Sequence, residues 1–425
     1  MLRLNKWTFL GVGFWIAGSV YAQDNSSINT YSPYSMYGLG DIAQPGLTAT
    51  GSMGGITTGV REKRQIDYVN PAGASARDSL TFVLDFGGEM RNFYSRTASQ
   101  STTYNTANFH HLALAFPVKR IGVSLGITPF SSVGYEFERR ELNDSLVASM
   151  GDVRYLYRGE NGINQIFLNL GYNITQHFSA GVGVRYYFGS ISHYYNVQQN
   201  TNAYYANIRS SKTQKISDFA PVLGVQYAQP LSGTRSIALG ASWQPEVNLS
   251  GTQSTLSQIV GTSNTSDTAY SSSVASSVKL PMQLNLGASI TASEKWMLGA
   301  EFGYQDWSKT VVMNNPNELG RSYSFRLGGY YIPNRYDVRY FWKRITYRGG
   351  LRYSQTPFLH NGYAVRDMSL NFGVSIPMRG AGYLNAGVEA GQRGATGHGL
   401  VQETYVNFSL GITLFEAWFV KYKYE

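Results

Sequence analysis

The chain has no cysteine among its 425 residues, so neither a disulfide framework nor a thiolate metal site supports its fold. A lipoprotein anchor is excluded for the same reason. After residue 22 no apolar run reaches the ~18 residues a transmembrane helix needs. Helical periodicity is scarce, and no glycine-rich motif of the phosphate-cradling kind occurs. The six histidines, His110, His111, His177, His193, His360 and His398, fall mainly in turns and near strand ends. No inward-facing histidine has a serine at a spacing that would support nucleophilic catalysis, and the His110-His111 pair has no third ligand in sequence. The expectation is a protein with no catalytic residues, no cofactor and no metal. Charged residues are also few, 14% of the chain. The net charge is +9, of which Arg3 and Lys6 supply two, and the remaining bases are scattered rather than gathered on one face. Nucleic acid is therefore not an expected partner.

Several features point the other way, toward export. Arg3 and Lys6 precede an apolar stretch from Trp7 to Gly18, and Val20-Tyr21-Ala22 precedes Gln23 as small or permissive residues precede a cleavage point. Residues 1–22 read as a secretory signal peptide. The rest is rich in glycine (46) and tyrosine (32) and alternates with period two. Ile166, Leu168, Leu170, Tyr172 and Ile174 point one way, and Phe167, Asn169, Gly171 and Asn173 the other. After Thr175-Gln176-His177, Phe178, Ala180, Val182, Val184, Tyr186 and Phe188 alternate with Ser179, Gly181, Gly183, Arg185, Tyr187 and Gly189.

Only helices and closed barrels satisfy every backbone group in a bilayer, so an exported chain with this texture reads as an all-β transmembrane antiparallel barrel, apolar outside and polar inside. A secreted β-sandwich or propeller gives a similar signal per strand. Aromatic residues at strand ends and glycines on the inner face favour the barrel. Segments of this kind number about fourteen, and an even count leaves both ends of the wall facing the periplasm. Short turns at 117–119, 175–177 and 291–294 are expected on that side. The Ser/Thr-rich stretch 251–269 and the stretch 306–320 are expected as extracellular loops.

Two stretches do not fit a wall. Residues 23–79 precede the first strand and read as an N-terminal segment and hatch, with the barrel occupying 80–425 and ending in a basic-aromatic tail. The hatch core runs Gly51-Ser-Met-Gly54-Gly55 to Gly59, then Arg61-Glu62-Lys63-Arg64, then Asn70-Pro71-Ala72-Gly73. Ahead of it, Tyr31 to Asp41 is aromatic and polar, a segment expected to thread into a cavity through its tyrosines or to fray as a terminus. The second misfit is the connection 333–344, which falls on the short-turn side yet carries Arg335, Arg339, Lys343, Arg344, Tyr336, Tyr340, Phe341 and Trp342. It reads either as an interface anchor or as a docking site for a protein partner.

The glycines Gly54, Gly55 and Gly59 followed by Asn70-Pro71-Ala72-Gly73, just before the first strand, resemble the hatch of the FadL-type outer-membrane transporters of long-chain fatty acids and other hydrophobic compounds. Tyr31 to Asp41, the run Pro129-Phe130-Ser131-Ser132-Val133-Gly134-Tyr135 and the closing Trp418 to Glu425 resemble the Bacteroidota branch of that group, which includes PorV-like barrels that partner protein-export machinery. The chain departs from common bacterial barrels in ending on Glu425 rather than on an aromatic residue. The resemblance implies the outer membrane of a Gram-negative cell, fourteen strands, a hydrophobic small-molecule ligand and contact with outer-membrane lipid. It also implies capture in the lumen and lateral release through a gap in the wall, a route that avoids returning an apolar ligand to water at about 0.8 kcal/mol per methylene.

The residues offer a place for such a gap. Proline cannot donate to a ladder, so Pro129, with Thr128, Phe130, Ser131 and Ser132, marks a bulge or local unpairing, or simply a kink at the rim. Alternation sets Asp85, Glu89, Arg185, Glu301, Arg326, Arg348, Arg352 and Glu389 on the inner face. Arg326, Arg348 and Arg352 suit a fatty-acid carboxylate, or they pair with Asp85, Glu89 and Glu389 and hold the hatch. The functional expectation is passive transport of hydrophobic small molecules. The alternative is a non-transporting scaffold barrel in a multi-protein outer-membrane complex for protein export or barrel insertion.

Overall fold

The computed structural model describes residues 29–417, apart from 78–80, 99, 200–205, 232, 262–265, 294, 314–318, 379–381 and 398. The signal peptide, residues 23–28 and the tail Trp418 to Glu425 lie outside the described residues.

One continuous antiparallel sheet of 18 segments closes on itself. Three wall strands are interrupted mid-length and the two-residue Asp41–Ile42 lies outside the wall, which leaves fourteen. In chain order they are β1 (Thr81–Arg96), β2 (Ser101–Val118), β3 (Ile121–Ser132 with Tyr135–Arg140), β4 (Val153–Asn173), β5 (Phe178–Gln199), β6 (Asn207–Pro230) and β7 (Arg235–Gln244 with Val247–Val260). They continue as β8 (Ser266–Leu280 with Gln283–Ala292), β9 (Trp296–Asp306), β10 (Arg321–Tyr331), β11 (Thr346–His360), β12 (Tyr363–Pro377), β13 (Gly382–Arg393) and β14 (Gln402–Ala417). Each pairs with its neighbour, and β14 pairs with β1 from Gln402↔Arg96 to Ala417↔Thr81, which closes the cylinder.

Closure leaves no edge in lipid over most of the wall. The outward positions are apolar and exposed: Leu168, Val182, Leu223, Leu298, Leu327, Phe372 and Leu410 among them. Their alternate neighbours Asn169, Arg185, Arg326, Asn371 and Ser289 are buried inside. Polar groups thus face inward and hydrocarbon outward, the inverse of a soluble sandwich.

One sequence expectation is corrected. Within the stretch 251–269, residues 251–260 and 266–269 are strand rather than loop: Val247–Val260 and Ser266–Leu280 pair with each other, and Val247–Val260 also pairs with β6 from Gly251↔Ile216 to Val260↔Asn207. Threonine and serine pairs such as Thr255↔Ser272 carry the hairpin. Both of its faces are largely exposed, so the period-two contrast that marks the rest of the wall is missing here.

The hatch lies within the cylinder. It holds a single helical turn, Thr48–Gly51, and a 3-10 helix, Pro71–Ala76, joined by irregular chain. At the end away from the short turns, an apolar cluster of Tyr34, Leu39, Val133, Ile191, Trp307 and Phe358 fills the cross-section.

Candidate functional site

The Asn70-Pro71-Ala72-Gly73 sequence is a helix start. Asn70 is extended and its side chain accepts from Ala72 N at 3.0 Å, while Pro71 occupies the first helical position, where no amide is missed. The same side chain donates to Thr58 O at 3.0 Å and to Val225 O of β6 at 3.1 Å. One asparagine therefore ties the helix, the glycine-rich stretch and the wall together. Gly54 has φ +73° and sits so close to the wall that an added Cβ would meet Leu351 O at 2.9 Å. The inner-face glycines answer this need from the other side: at Gly240 of β7 a side chain would collide with the Thr58 carbonyl. Gly55 also has positive φ, and Gly59 abuts Gly287 of β8.

Inward charges hold the segment. Glu301 of β9 accepts from Thr57 N (2.6 Å), Thr58 N (2.8 Å) and Thr58 Oγ1 (3.0 Å), and Arg326 of β10 donates to it at 2.9 Å. Arg185 donates to Asn169 Oδ1 at 2.7 Å and to the Tyr68 carbonyl. Below them Arg61 reaches Ser179 (3.0 Å), Gln226 (3.1 Å) and Asn173 (2.8 Å) at the ends of β5, β6 and β4. Burial pushes the Asp67 carboxyl up to about 7 even though its Oδ1 accepts from Val69 N and Asn70 N. Burial also raises Tyr68 to about 12 and lowers Arg77 to about 10.

A second network joins the N-terminal segment to the wall. Arg393 of β13 donates to Asp41 Oδ1 (2.6 Å), Glu403 Oε2 (2.7 Å) and Ser32 Oγ (2.8 Å). Arg352 of β11 contacts Glu389 at 2.6 Å, Asp367 at 3.3 Å and Tyr405 OH at 3.0 Å. Glu89 pairs with Arg91 at 2.8 Å, and Asp85 meets His111 Nε2 at 2.9 Å. Arg348 donates to Ser375.

The three arginines singled out from the sequence do not converge on one point. Arg326 and Arg352 are register partners on β10 and β11, whereas Arg348 pairs with Tyr330 nearer the short turns. Each already has an internal partner. Asp41, Asp367, Arg393 and Glu403 were not singled out in the sequence. The Asp41–Arg393 bond spans 352 positions, and nothing local announces it.

Beside Pro129 one ladder of the wall ends. The β2–β3 ladder runs from Val118↔Ile121 to Leu112↔Ile127 and stops. On the β4 side the register shifts between Pro129 and Ser131, the mark of a bulge. Thr128 Oγ1 accepts from Gln165 at 3.0 Å, and Phe130 packs edge-on to Tyr187 at 4.8 Å.

Residues 41–43 of the N-terminal segment occupy this seam. Asp41 and Ile42 pair antiparallel with Ser132 and Ser131, and Ala43 N donates to Phe130 O at 2.9 Å. Farther up, Ser35 Oγ lies 3.0 Å from both the Gly134 amide and its carbonyl, Tyr31 stacks on Tyr104 of β2 at 4.8 Å, and Asn108 donates to Asn29 O at 2.8 Å. Tyr34 OH donates to Val401 O at 2.5 Å, and burial raises it to about 12.

Among the described residues, cavities of about 140 and 110 Å³ lie between this segment and the wall. Both touch Asp41, Pro129 and Arg393; the larger is lined also by Gln165, Arg185 and Arg326, the smaller by Glu89, Arg352 and Glu389. Their linings mix these polar and charged groups with apolar ones, Ile42, Phe130 and Tyr187 in the larger and Ile42, Leu47 and Phe93 in the smaller. Both are smaller than the roughly 300–1,000 Å³ of pockets that hold small apolar ligands.

Among solved structures, the toluene transporter TbuX of Ralstonia pickettii is similar at 14% identity and TM-score 0.59, over 87% of this chain and 98% of that one. A Pseudomonas aeruginosa FadL homologue is similar at 13% and 0.58 over 89% and 99%, and the Pseudomonas putida toluene transporter TodX at 12% and 0.55 over 90% and 100%. At such identities the likeness is one of fold. No curated protein matches the chain. The family model described as BamG matches residues 4–425, nearly the full length, and the chain belongs to the BamG family.

Proposed function

We propose that this protein is an outer-membrane barrel that does not transport, and that serves as a structural subunit of a multi-protein complex in that membrane. The observation that carries the reading is the occupied lumen and seam. Glu301, Arg185 and Arg61 fasten the hatch across the cylinder, and the gap beside Pro129 holds Asp41 and Ile42. A hydrophobic ligand entering the lumen would have to displace paired charges, and a buried charge stripped of its partner costs about 3–5 kcal/mol. The outward apolar band supports a membrane location, and the family name BamG points to a complex subunit.

Passive uptake of a hydrophobic molecule with lateral release is the second reading. The interrupted β2–β3 ladder at Pro129 favours it, as do the transporter folds of TbuX and TodX. Reconstitution separates the two. In lipid vesicles the full chain is expected to pass a fluorescent long-chain fatty acid or toluene no faster than protein-free vesicles do. Saturable flux that falls on locking the seam would replace the structural reading with the transport one.

A further inference from the structure

The barrel mouth at the short-turn end is strongly basic, and part of it is built as a platform. In the connection between β10 and β11, Asp337 Oδ1 accepts from Arg339 N (2.9 Å) and Tyr340 N (2.6 Å), and Asn334 N donates to Lys343 O at 2.8 Å. These bonds hold a 3-10 helix, Phe341–Arg344, at the end of the connection that leads into β11. Lys343 Nζ lies 4.5 Å from the Tyr340 ring and 5.6 Å from Trp342, and Arg344 lies 5.1 Å over Phe341. The rings are nevertheless about half exposed, and Val338 is 95% exposed.

Across the same mouth, Lys63, Lys119, Arg120, Arg235, Lys295 and Arg339 are exposed. The acids described at this end include Glu62, which accepts from Tyr330, Asp67, which lies against Gly73 and accepts from Val69 N and Asn70 N, Asp337, which pairs with Lys343 at 3.4 Å, and Glu416.

We propose that this mouth is a docking surface for an acidic segment of a partner protein, with the aromatic-basic platform as its anchor. The inference rests on the structural-subunit reading and names the chemistry of the partner. Charge complementarity selects an acidic partner. Position selects a protein over anionic lipid, because the cations do not stop at the lipid-facing rim. Lys63 belongs to the hatch: the Arg77 guanidinium donates to its carbonyl at 3.2 Å, and neighbouring Arg64 reaches Tyr383 OH at 2.7 Å and lies over Phe415. A bilayer surrounds the wall and does not enter the mouth. Arginine, tyrosine and tryptophan together are also the composition of protein interface anchors.

The test uses the full chain in neutral detergent and a poly-glutamate peptide, with a poly-lysine peptide and phosphatidylglycerol vesicles as competing probes. Expected is poly-glutamate binding that weakens steeply with salt. Combined Lys63→Glu and Arg339→Glu should weaken it about tenfold or more, while Arg209→Glu at the opposite end leaves it unchanged. Phe341→Ala, which leaves every charge in place, should weaken it severalfold; an unchanged affinity overturns the anchoring role of the platform. Heat-modifiable migration on gels checks that each variant is folded.

Absence of poly-glutamate binding, or equal loss in the Arg209→Glu control, overturns the proposal. Vesicle binding that the mouth variants abolish and that poly-glutamate does not compete for assigns the surface to lipid instead. Protein partners that co-purify in full with the Lys63→Glu, Arg339→Glu variant refute this inference alone and leave the structural reading standing.

Discussion

Glu301→Gln should loosen the hatch without unfolding the barrel. The carboxylate accepts two backbone amides and a hydroxyl from Thr57 and Thr58 while neutralising Arg326, whose side chain is 7% exposed. The amide cannot neutralise Arg326, and removing one member of a buried pair costs about 3–5 kcal/mol. The weakened charge-assisted bonds to Thr57 and Thr58 belong to the same loss. The wall is held by the ladders to β8 and β10, which run unbroken through Glu301, so the cost falls on the contact between hatch and wall.

Because the chain has no cysteine, a single Val60→Cys reports hatch opening. Val60 is 7% exposed beside Thr57 and Thr58, and the smaller side chain fits. Under reversible opening, 3 kcal/mol corresponds to roughly a 100-fold faster thiol labelling rate, at 1.4 kcal/mol per factor of ten. In Glu301→Gln the rate should rise about 100-fold or more while barrel migration on gels is unchanged. Adding Arg326→Met, which removes the orphaned charge, should recover part of that loss. A labelling rate within about threefold of the parent's would refute the claim that this pair fastens the hatch.

Further outcomes follow from the same contacts. Cysteines at Ile42 and Ser131, which are register partners, lie within disulfide reach. Mild oxidation should consume both thiols, whereas thiols that stay free would mean the seam strand is not seated. Asp41→Asn should expose residues 29–46 to protease, by about 2–3 kcal/mol of lost charge-assisted bonding to Arg393, with nicking rates as the measure. For Asp67 the folded pKa of about 7 lies above its ordinary value of 3.8 because burial disfavours the charge. The folded state therefore holds the proton more tightly, and this contribution to stability is fully present below about pH 4 and is lost as pH rises through 7. Hatch protection by hydrogen exchange, corrected for intrinsic rates, should be greater at pH 5 than at pH 8, and Asp67→Asn should flatten the difference.

Legibility in the sequence followed the physical contrast each residue experiences. From Ile166 to Phe188 one face meets hydrocarbon and the other a polar lumen, so alternation marked β4 and β5 directly. Residues 251–260 and 266–269 are equally strand-like, but both of their faces are largely exposed and the contrast vanishes, so they read as loop. The outer part of β4, from Val153 to Glu160, carries no such mark for a similar reason: its burial does not alternate. Asn70-Pro71 was readable because a helix cap is local chemistry. Pro129 was readable as a fault in the ladder for the same reason, since a missing amide is a property of one residue. What fills that fault was not readable. Asp41 finds Arg393 and Ser132 only after the barrel has closed, and no spacing along the chain encodes the meeting.

The central claim is that the barrel works through protein neighbours rather than through its lumen. Its most direct test is purification of the tagged protein from gently solubilised outer membranes, with mass spectrometry of both the co-purifying proteins and the extracted lipids. The account predicts stoichiometric protein partners and no fatty acid or other apolar ligand beyond bulk lipid. A solitary barrel carrying a bound hydrophobic compound would contradict it.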